Sequence, residues 1–353
     1  ETGKHFLAGM QAHLRELSLM WAPTINSYKR YQPGSFAPTA IRWGRDNRTC
    51  ALRLVGRGQS LRVENRVPGG DVNPYLAVAG MIAAGLDGIQ KKLPLEPAFV
   101  GNAYALVDPN DQAPYLSDWR NRYHGKALAV LLPKTTQEVA KIVKACDQAL
   151  ISIVPQGGNT SMCGAATPND SGQQIVLNLK RMNAIREINP SNQTMVVESG
   201  CILQTVQEAA KTQGFLFPLS LGAQGSCQIG GNLATNAGGT NVLRYGNARE
   251  LCLGLEVVTA QGDILHGLRS LRKDNTGFDL RDLYIGSEGC LGIITAAVMK
   301  LYPLPVTQWT ALVAVPNIPA TIELLSLFQK RTADLLTGFE MMSKDSLDLT
   351  TKQ

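Results

Sequence analysis

Glycine is most concentrated in two neighbouring stretches, LGAQGSCQIGGN at residues 221–232 and TNAGG at residues 235–239. Six glycines fall between residues 222 and 239, and glycine lets a backbone approach a flat ligand or a pyrophosphate closely. A flexible linker is the alternative interpretation, but linkers are rich in serine and glycine, whereas Ile229 and Leu233 are interleaved here. The pattern favours a ligand-binding region.

A second glycine-rich loop, PQGGNTS at residues 155–161, follows a predicted strand–helix–strand unit. Residues 127–132 and 151–154 are the predicted strands, and Thr135 with Glu138 forms a capping-box pattern that begins the helix. Consecutive glycine amides can form a nest for a phosphate. The loop matches neither the dinucleotide fingerprint nor the P-loop, so an ordinary turn stays open as an alternative.

Composition excludes several classes of protein. The chain has 353 residues, 44% of them hydrophobic and 18% charged, which predicts a globular protein with two or three domains rather than disorder. The longest nearly apolar run, residues 76–86, is shorter than the ~20 residues of a membrane span. Seven cysteines without a CxxC pair predict reduced thiols rather than a disulfide framework or zinc ribbon. Without a signal sequence, we expect a cytoplasmic protein.

The first third of the chain is basic. Residues 1–105 hold 13 Lys and Arg against 7 Asp and Glu, and seven arginines fall between residues 42 and 66. Residues 49–55 and 60–67 are predicted strands of a hairpin, and residues 75–88 a buried helix rich in alanine. Alternation along the second strand places Arg62, Glu64 and Arg66 on one face.

Three interpretations of this arginine face stay open from the residues alone. A carboxylate between guanidiniums is suited to a metal-assisted anion site. Surface ion pairs on a solvated strand are the second interpretation. A nucleic-acid patch is the third, although no aromatic residues alternate with the arginines and no binding motif is present.

Five motifs in this region occur in the order found in one enzyme family. Residues 1–104 resemble the C-terminal part of the glutamine synthetase catalytic domain, closest to its gamma-glutamyl-polyamine synthetase-like branch. The motifs are NSYKR (26–30), PGSFAP (33–38), DNRT (46–49), RVENRVP (62–68) and NPYL (73–76).

This resemblance implies a role for each charged residue. Glu64 is expected to bind Mg²⁺, and Arg30, Arg48, Arg53 and Arg66 to bind the glutamate carboxylate and the transferred phosphate. Phe36 stands where typical members carry a glutamate, which implies a larger amine substrate. The family's nucleotide-binding residues and its other metal ligands are expected before Glu1. Mg²⁺ and ATP are therefore expected only if the ligase region is complete.

The remainder of the chain carries a second resemblance. Residues 106–350 resemble the FAD-binding (PCMH-type) domain of the vanillyl-alcohol oxidase family, closest to its D-lactate and D-2-hydroxyglutarate dehydrogenases. The motifs are NAGG (236–239), RYG (244–246), SLRKDNTGFDL (270–280) and IGSEGCLGIIT (285–295).

The family fold is two α+β subdomains that enclose FAD, followed by a substrate cap. By position, the pyrophosphate would be held by Pro155, Gly157, Gly158, Asn159, Thr160 and Ser161. The flavin and its chain would be lined by Gly222, Ser226, Gly230, Gly231, Asn236 and Gly239. The adenine-ribose side would be closed by Glu288, Gly289, Ile293 and Ile294.

The resemblance also limits what the sequence says about catalysis. Members with covalent flavin carry a histidine where Asn159 stands, so non-covalent FAD is expected. The cap begins near residues 337–342, and we expect the catalytic base and the substrate cations to lie in absent cap sequence. The catalytic residues are therefore unknown, and His266 is interpreted as a structural histidine.

The sequence thus predicts an α+β protein in three parts: a partial glutamine-synthetase-like domain (1–104), a two-subdomain PCMH-type FAD-binding domain (105–305) and the start of a cap (306–353). The predicted function is oxidation of a small D-2-hydroxy acid by FAD, with electrons passed to an unidentified acceptor. A gamma-glutamyl ligase and an inactive chimera are the alternatives. No nucleic-acid partner and no membrane span are expected, and the oligomeric state is open.

Overall fold

The computed structural model describes residues 1–23, 38, 41–47, 49–56, 60–69, 71–98 and 109–351. The chain divides into two compact units, Glu1–Gln112 and Ala113–Gln353. Both units mix helices and strands, which confirms the predicted α+β class. The two resemblances, at residues 1–104 and 106–350, meet at residue 105, which lies outside the described residues.

The described part of the first unit holds a small mixed sheet and four helices. β1 pairs with β2 in parallel, and β2 pairs with β3 antiparallel, so that Arg53 lies opposite Glu64 and the predicted hairpin is confirmed. The strands are β1 (Trp43–Arg45), β2 (Leu52–Val55) and β3 (Arg62–Asn65); the helices are α1 (Thr2–Ala12), α2 (Ser18–Trp21), α3 (Pro74–Gln90) and α4 (Pro109–Gln112).

Strand β2 is shorter than the sequence predicts. It begins at Leu52 rather than at residue 49. The Asn47 Oδ1 atom accepts hydrogen bonds from the backbone N–H and the hydroxyl of Thr49, at 3.0 and 2.6 Å. An asparagine that binds the backbone two residues on makes a turn, and this turn delays the start of the strand.

Helix α3 begins and packs as its sequence directs, but it is buried on one face only. Asn73 caps it by accepting from the amides of Tyr75 and Leu76, and Pro74 occupies the first turn. Its glycines pack closely on α1: a Cβ at Gly88 would lie 2.2 Å from the His5 carbonyl oxygen. The opposite face is about half exposed or more and carries the apolar residues Tyr75, Val78, Ile82 and Leu86. The predicted burial is wrong for that face, because an alanine-rich composition does not indicate which faces have partners.

Protonation of His13 is expected to stabilise the packing of α1 on α3. Its ring nitrogens contact Glu16 Oε2 at 2.6 Å and Asp87 Oδ2 at 2.8 Å. These two carboxylates raise the pKa of His13 above its ordinary value of 6.5. The stabilisation is therefore complete below pH 6.5 and is lost as the pH rises through the higher pKa of the folded state.

Between about pH 5.5 and pH 8.5, we expect the stability of the wild-type first unit to fall by up to about 1 kcal/mol relative to that of the His13→Gln variant. The effect is limited to this size because His13 and its carboxylate partners are partly solvated. Hydrogen exchange of α1 and α3 peptides from both proteins measures this difference. Parallel pH profiles for wild type and His13→Gln would contradict the assignment.

In the second unit, a three-stranded parallel sheet has the order β4-β6-β5, and a five-stranded antiparallel sheet has the order β11-β10-β12-β8-β7. A two-stranded sheet pairs β9 with β13. The strands are β4 (Ala129–Leu131), β5 (Ile153–Gln156), β6 (Ile175–Asn178), β7 (Ile185–Asn189), β8 (Thr194–Glu198), β9 (Phe215–Leu216), β10 (Cys252–Thr259), β11 (Ile264–Gly267), β12 (Gly292–Lys300) and β13 (Tyr302–Pro303).

Helices of this unit pack on both larger sheets, although not all of them do. They are α5 (Thr136–Gln148), α6 (Leu203–Thr212), α7 (Ile229–Ala234), α8 (Val242–Tyr245), α9 (Leu280–Tyr284), α10 (Ile318–Thr332) and α11 (Lys344–Thr351), with short 3₁₀ turns at Ala113–Tyr115 and Ala333–Leu335. The Thr135 hydroxyl accepts from the Glu138 amide at 3.1 Å, which confirms the predicted start of α5.

Helix α5 joins the two sheets into one structure. Val139 and Val143 share a buried cluster with Leu177 of β6 and with Val258 and Ile293 of the five-stranded sheet. A larger core lies between the five-stranded sheet and helices α6 and α7. The three-stranded and five-stranded sheets therefore belong to one compact unit, Ala113–Gln353, in which their loops can meet at a common site.

Two further predictions can be compared with the described residues. Their seven cysteines are all free thiols, five of them buried, with Cys163 and Cys290 exposed. No described helix has both the length and the hydropathy to cross a membrane.

Candidate functional site

Three glycine-rich segments that are distant in sequence surround one cavity in the second unit. Residues 155–161 leave the end of β5, residues 221–237 lead into and beyond α7, and residues 288–294 lead into β12. The cavity has a volume of about 390 Å³, within the range of about 300–1,000 Å³ typical of small-molecule and cofactor sites.

Most of the residues predicted to bind FAD line this cavity. Those at its wall are Pro155, Gly157, Gly158, Asn159, Thr160, Ser161, Gly222, Gly230, Gly231, Glu288, Gly289, Ile293 and Ile294.

The other three, Ser226, Asn236 and Gly239, do not line the cavity. Asn236 Oδ1 accepts from the Arg249 amide at 3.0 Å. A Cβ at Gly239 would lie 2.1 Å from the Ser220 carbonyl oxygen, and its φ of +94° suits glycine.

The first loop presents unpaired backbone donors. None of the amides from Gly158 to Ser161 donates a hydrogen bond to any group that the structure describes. Asn159 has φ +52°, and its side-chain Nδ2 donates to the Ser117 carbonyl at 2.7 Å. Adjacent amides that are free of protein partners can bind an anion such as a phosphate.

The cavity wall carries little charge. Among the described residues that line it, Glu288 is the one charged side chain, and no lysine, arginine or histidine is present. Burial raises the pKa of the Cys227 thiol, so this residue is a neutral thiol at physiological pH. An anion here would be bound by neutral N–H and O–H donors rather than by cations.

Sequence reasoning missed polar residues at this site. Gln156 and Gln228 line the cavity with 2% and 7% exposure, and the Gln228 Oε1 atom is buried without a hydrogen-bond partner among the described groups. A buried acceptor without a partner fits a ligand that donates a hydrogen bond. The available signal was a polar residue directly after an apolar strand, as at Gln156.

The unpaired amides, the close glycine contacts and the Gln228 acceptor together test whether the site suits FAD. The amides match a pyrophosphate, the Gln228 oxygen matches a ribityl hydroxyl or flavin N–H, and the apolar wall at Ile293 and Ile294 matches a planar ring. The residues present therefore fit this cofactor.

His266 lies outside the cavity. It belongs to β11, and its side chain is 70% exposed. Its Nδ1 atom lies 3.9 Å from Glu256 Oε2, so it is near a buried structural carboxylate.

The arginine face of the first unit is a network of ion pairs. Glu64 accepts from Arg53 Nη1 through Oε2 and from Arg66 Nη1 through Oε1, both at 3.0 Å. Arg53 also pairs with Asp46. Arg30 and Arg48 lie outside the described residues.

This geometry favours the ion-pair interpretation, since both oxygens of Glu64 are bound by guanidiniums. Among the described residues, no group of three or more His, Cys, Asp or Glu could hold a metal ion. The Mg²⁺ role of Glu64 stays a prediction.

The two units match different families of protein. Residues 127–267 match the family model "FAD binding domain", and residues 1–117 match "Glutamine synthetase, catalytic domain". Both resemblances predicted from the motifs are confirmed, since the two parts of the chain are similar to these two families.

The curated relatives include D-2-hydroxyglutarate dehydrogenases and a transhydrogenase. The mitochondrial D-2-hydroxyglutarate dehydrogenase of Bos taurus is 41% identical over 244 residues, which are 69% of this chain and 44% of the relative. That of Arabidopsis thaliana is 42% identical, over 66% of this chain and 41% of the relative. The D-2-hydroxyglutarate–pyruvate transhydrogenase of Saccharomyces cerevisiae is 36% identical, over 69% of this chain and 48% of the relative. The chain spans about half the length of these relatives or less.

A solved structure of alkyldihydroxyacetonephosphate synthase has a similar fold. The TM-score is 0.53 at 23% sequence identity, over 60% of this chain and 40% of that one. At this identity the likeness concerns the fold alone, and it agrees with the predicted PCMH-type architecture.

Proposed function

We propose that the second unit binds FAD non-covalently and serves in the oxidation of a small D-2-hydroxy acid to the corresponding 2-oxo acid. The observation that carries the proposal is the cavity at which unpaired amides of residues 158–161 meet glycine-rich segments near residues 230 and 289. FAD would supply the two-electron acceptor.

Each part of the cavity has an expected role. The amides of the first loop would bind the pyrophosphate, and Gly222, Gly230 and Gly231 would let the flavin and its chain approach the backbone. The Glu288 carboxylate would accept hydrogen bonds from ribose hydroxyls. Non-covalent binding is supported by Asn159, because its side-chain amide donates to the Ser117 carbonyl oxygen and is not a nucleophile.

The substrate class is supported by the D-2-hydroxyglutarate relatives. The groups that would bind the substrate carboxylate and accept its hydroxyl proton are not among the described residues that line the cavity, which include no cation and no histidine. An electron acceptor is required in addition. The cytoplasmic location stays a prediction, while two of the relatives cited above are mitochondrial by name.

The domain limits proposed are 1–104, 105–305 and 306–353, with the last part the start of a cap. A ligase activity of the first unit has less support, because Glu64 is bound by two arginines. ATP- and glutamate-dependent release of phosphate by the purified chain would instead favour the ligase alternative.

The visible absorption spectrum of the purified, desalted protein tests the proposal. We expect a flavin spectrum, or its appearance after incubation with FAD, and release of the flavin into the supernatant on acid precipitation. Flavin that stays with the precipitate would contradict non-covalent binding. A chain that stays colourless after incubation with FAD would contradict the proposed function.

A further inference from the structure

A pair of buried amide side chains lies beneath the loop at residues 157–161. Gln156 ends strand β5 and Asn178 ends the neighbouring strand β6, and the two are register partners. They are 2% and 4% exposed. Asn178 does not line the cavity, so any effect it has on a ligand must pass through another residue.

The two amides connect the sheet to the loop through hydrogen bonds. Asn178 Nδ2 donates to Gln156 Oε1 and to the Gly157 carbonyl oxygen, both at 3.0 Å. Gln156 Nε2 donates to the carbonyl oxygens of Tyr115 and Ala166, at 3.0 and 2.8 Å. Gln156 therefore orients the side-chain amide of Asn178 through its Oε1 atom. Through its Nε2 atom it also holds Tyr115 and Ala166, which lie before and after the loop in the chain.

The bond from Asn178 determines the direction of the next amide. In a trans peptide the C=O and N–H groups point to opposite sides, and the described residues contain no cis peptide. Since the Gly157 carbonyl points to Asn178, the Gly158 N–H points the other way, away from the sheet. Gly158 lines the cavity, and its N–H has no acceptor among the described groups.

We propose that Asn178 is a positioning residue for an anionic ligand. By holding the Gly157 carbonyl, it turns the Gly158 N–H toward the ligand's phosphate, while Gln156 keeps the Asn178 amide in the donating orientation. The inference rests on the proposed function, in which that phosphate belongs to FAD. It assigns a role in binding to a side chain outside the cavity.

The variant Asn178→Asp tests this role, because a carboxylate has the same shape but cannot donate to Gly157. With the full-length chain at about pH 8, we expect the Kd for FAD to rise about tenfold or more, a cost of about 1.4 kcal/mol. The Kd for riboflavin, which lacks phosphate, is expected to change less than about twofold. A lower pH should partly restore FAD binding, because the protonated acid regains one donor.

The matched control is Asn192→Asp, which removes a similar bond, from Nδ2 to the Ser270 carbonyl at 2.9 Å, outside the loop. It should leave both affinities unchanged. Equal FAD affinity in wild type and Asn178→Asp, or an equal loss for riboflavin, would overturn the positioning role alone. A wild-type chain that binds neither FAD nor inorganic pyrophosphate would overturn the proposed function as well.

A second measurement does not depend on the variant folding. Labelling glycine with ¹³C at the carbonyl and ¹⁵N at the amide selects the Gly-Gly peptides, of which the sequence has four. The pairs begin at Gly69, Gly157, Gly230 and Gly238. On saturation of wild type with FAD, the Gly158 amide resonance should shift. A Gly158 resonance that does not move would refute the proposal.

Discussion

Gly158→Ala is expected to disrupt the site and to destabilise the second unit by about 2–4 kcal/mol. A Cβ at Gly158 would lie 2.1 Å from the Ser226 carbonyl oxygen. This neighbour is backbone rather than the end of a flexible side chain, so one of the two segments that surround the cavity must move. We expect FAD affinity to fall more than about a hundredfold, since that displacement also moves the loop amides.

The control for this prediction is Gly222→Ala, a position that also lines the cavity but has no atom within 4 Å of an added Cβ. Its stability should stay within about 0.5 kcal/mol of wild type. Hydrogen exchange of β5 and β12 peptides measures stability, and FAD titration measures affinity. If both variants retained wild-type stability, the close approach of residues 158 and 226 would be refuted.

Loss of the Glu256 carboxylate is expected to have the second large effect. Glu256 is 7% exposed on β10. It accepts from the Thr136 hydroxyl at 2.6 Å, the Thr295 hydroxyl at 3.0 Å and Arg186 Nη2 at 3.1 Å. It therefore connects the start of α5 to three strands of the five-stranded sheet. Glu256→Leu should cost about 2–4 kcal/mol, because the buried hydroxyls of Thr136 and Thr295 and the partly exposed Arg186 lose this acceptor.

The pH dependence of this network has a defined sign. Burial alone would raise the pKa of Glu256, but hydrogen bonds from Thr136, Arg186 and Thr295 and the charge of Arg186 outweigh it and lower the pKa below 4.5. The stabilisation is therefore present above pH 4.5 and is lost as the pH falls through the lowered pKa of the folded state. As the pH falls from 4.5 through the lowered pKa of Glu256, we expect the difference in stability between wild type and the Glu256→Gln variant to decrease.

Glu208→Gln serves as the surface control, since Glu208 accepts an exposed hydrogen bond from Gln204 within one helix. It should change stability by less than about 0.5 kcal/mol at any pH. Exchange rates of β8 and β12 amides report the free energy of opening for each variant. An equal effect of Glu256→Gln and Glu208→Gln would contradict the buried network.

Local signals in the sequence were sufficient for several elements. Thr135 and Glu138 predicted the start of α5, and the strand patterns at residues 49–55 and 60–67 predicted the hairpin of β2 and β3. Capping and turn formation depend on residues within four positions of one another, so they can be read without the fold. The exposure of one face of α3 could not be predicted from local signals, because burial depends on which other segments pack against the helix.

The site was predicted in part, through motifs rather than geometry. The glycine positions near residues 157 and 230 were found because close backbone approach needs that residue type, whereas Gly289 was assigned through the resemblance of residues 285–295. Gln156 was missed although it directly follows an apolar strand, and Gln228 was missed because no local pattern distinguishes it from a surface residue. Their roles depend on partners elsewhere in the chain.

The sequence by itself indicated the helices at residues 75–88 and after Thr135, the hairpin of residues 49–67, the glycine-rich loops and the family motifs. Only the tertiary structure decided that the Gly157 carbonyl binds Asn178, that Glu256 meets Thr136 across 120 positions, and that Glu64 is bound between two arginines. Propensity and periodicity act over a few residues, whereas these contacts form when packing of apolar faces brings distant segments together. That packing turns separate glycine-rich loops into one cavity.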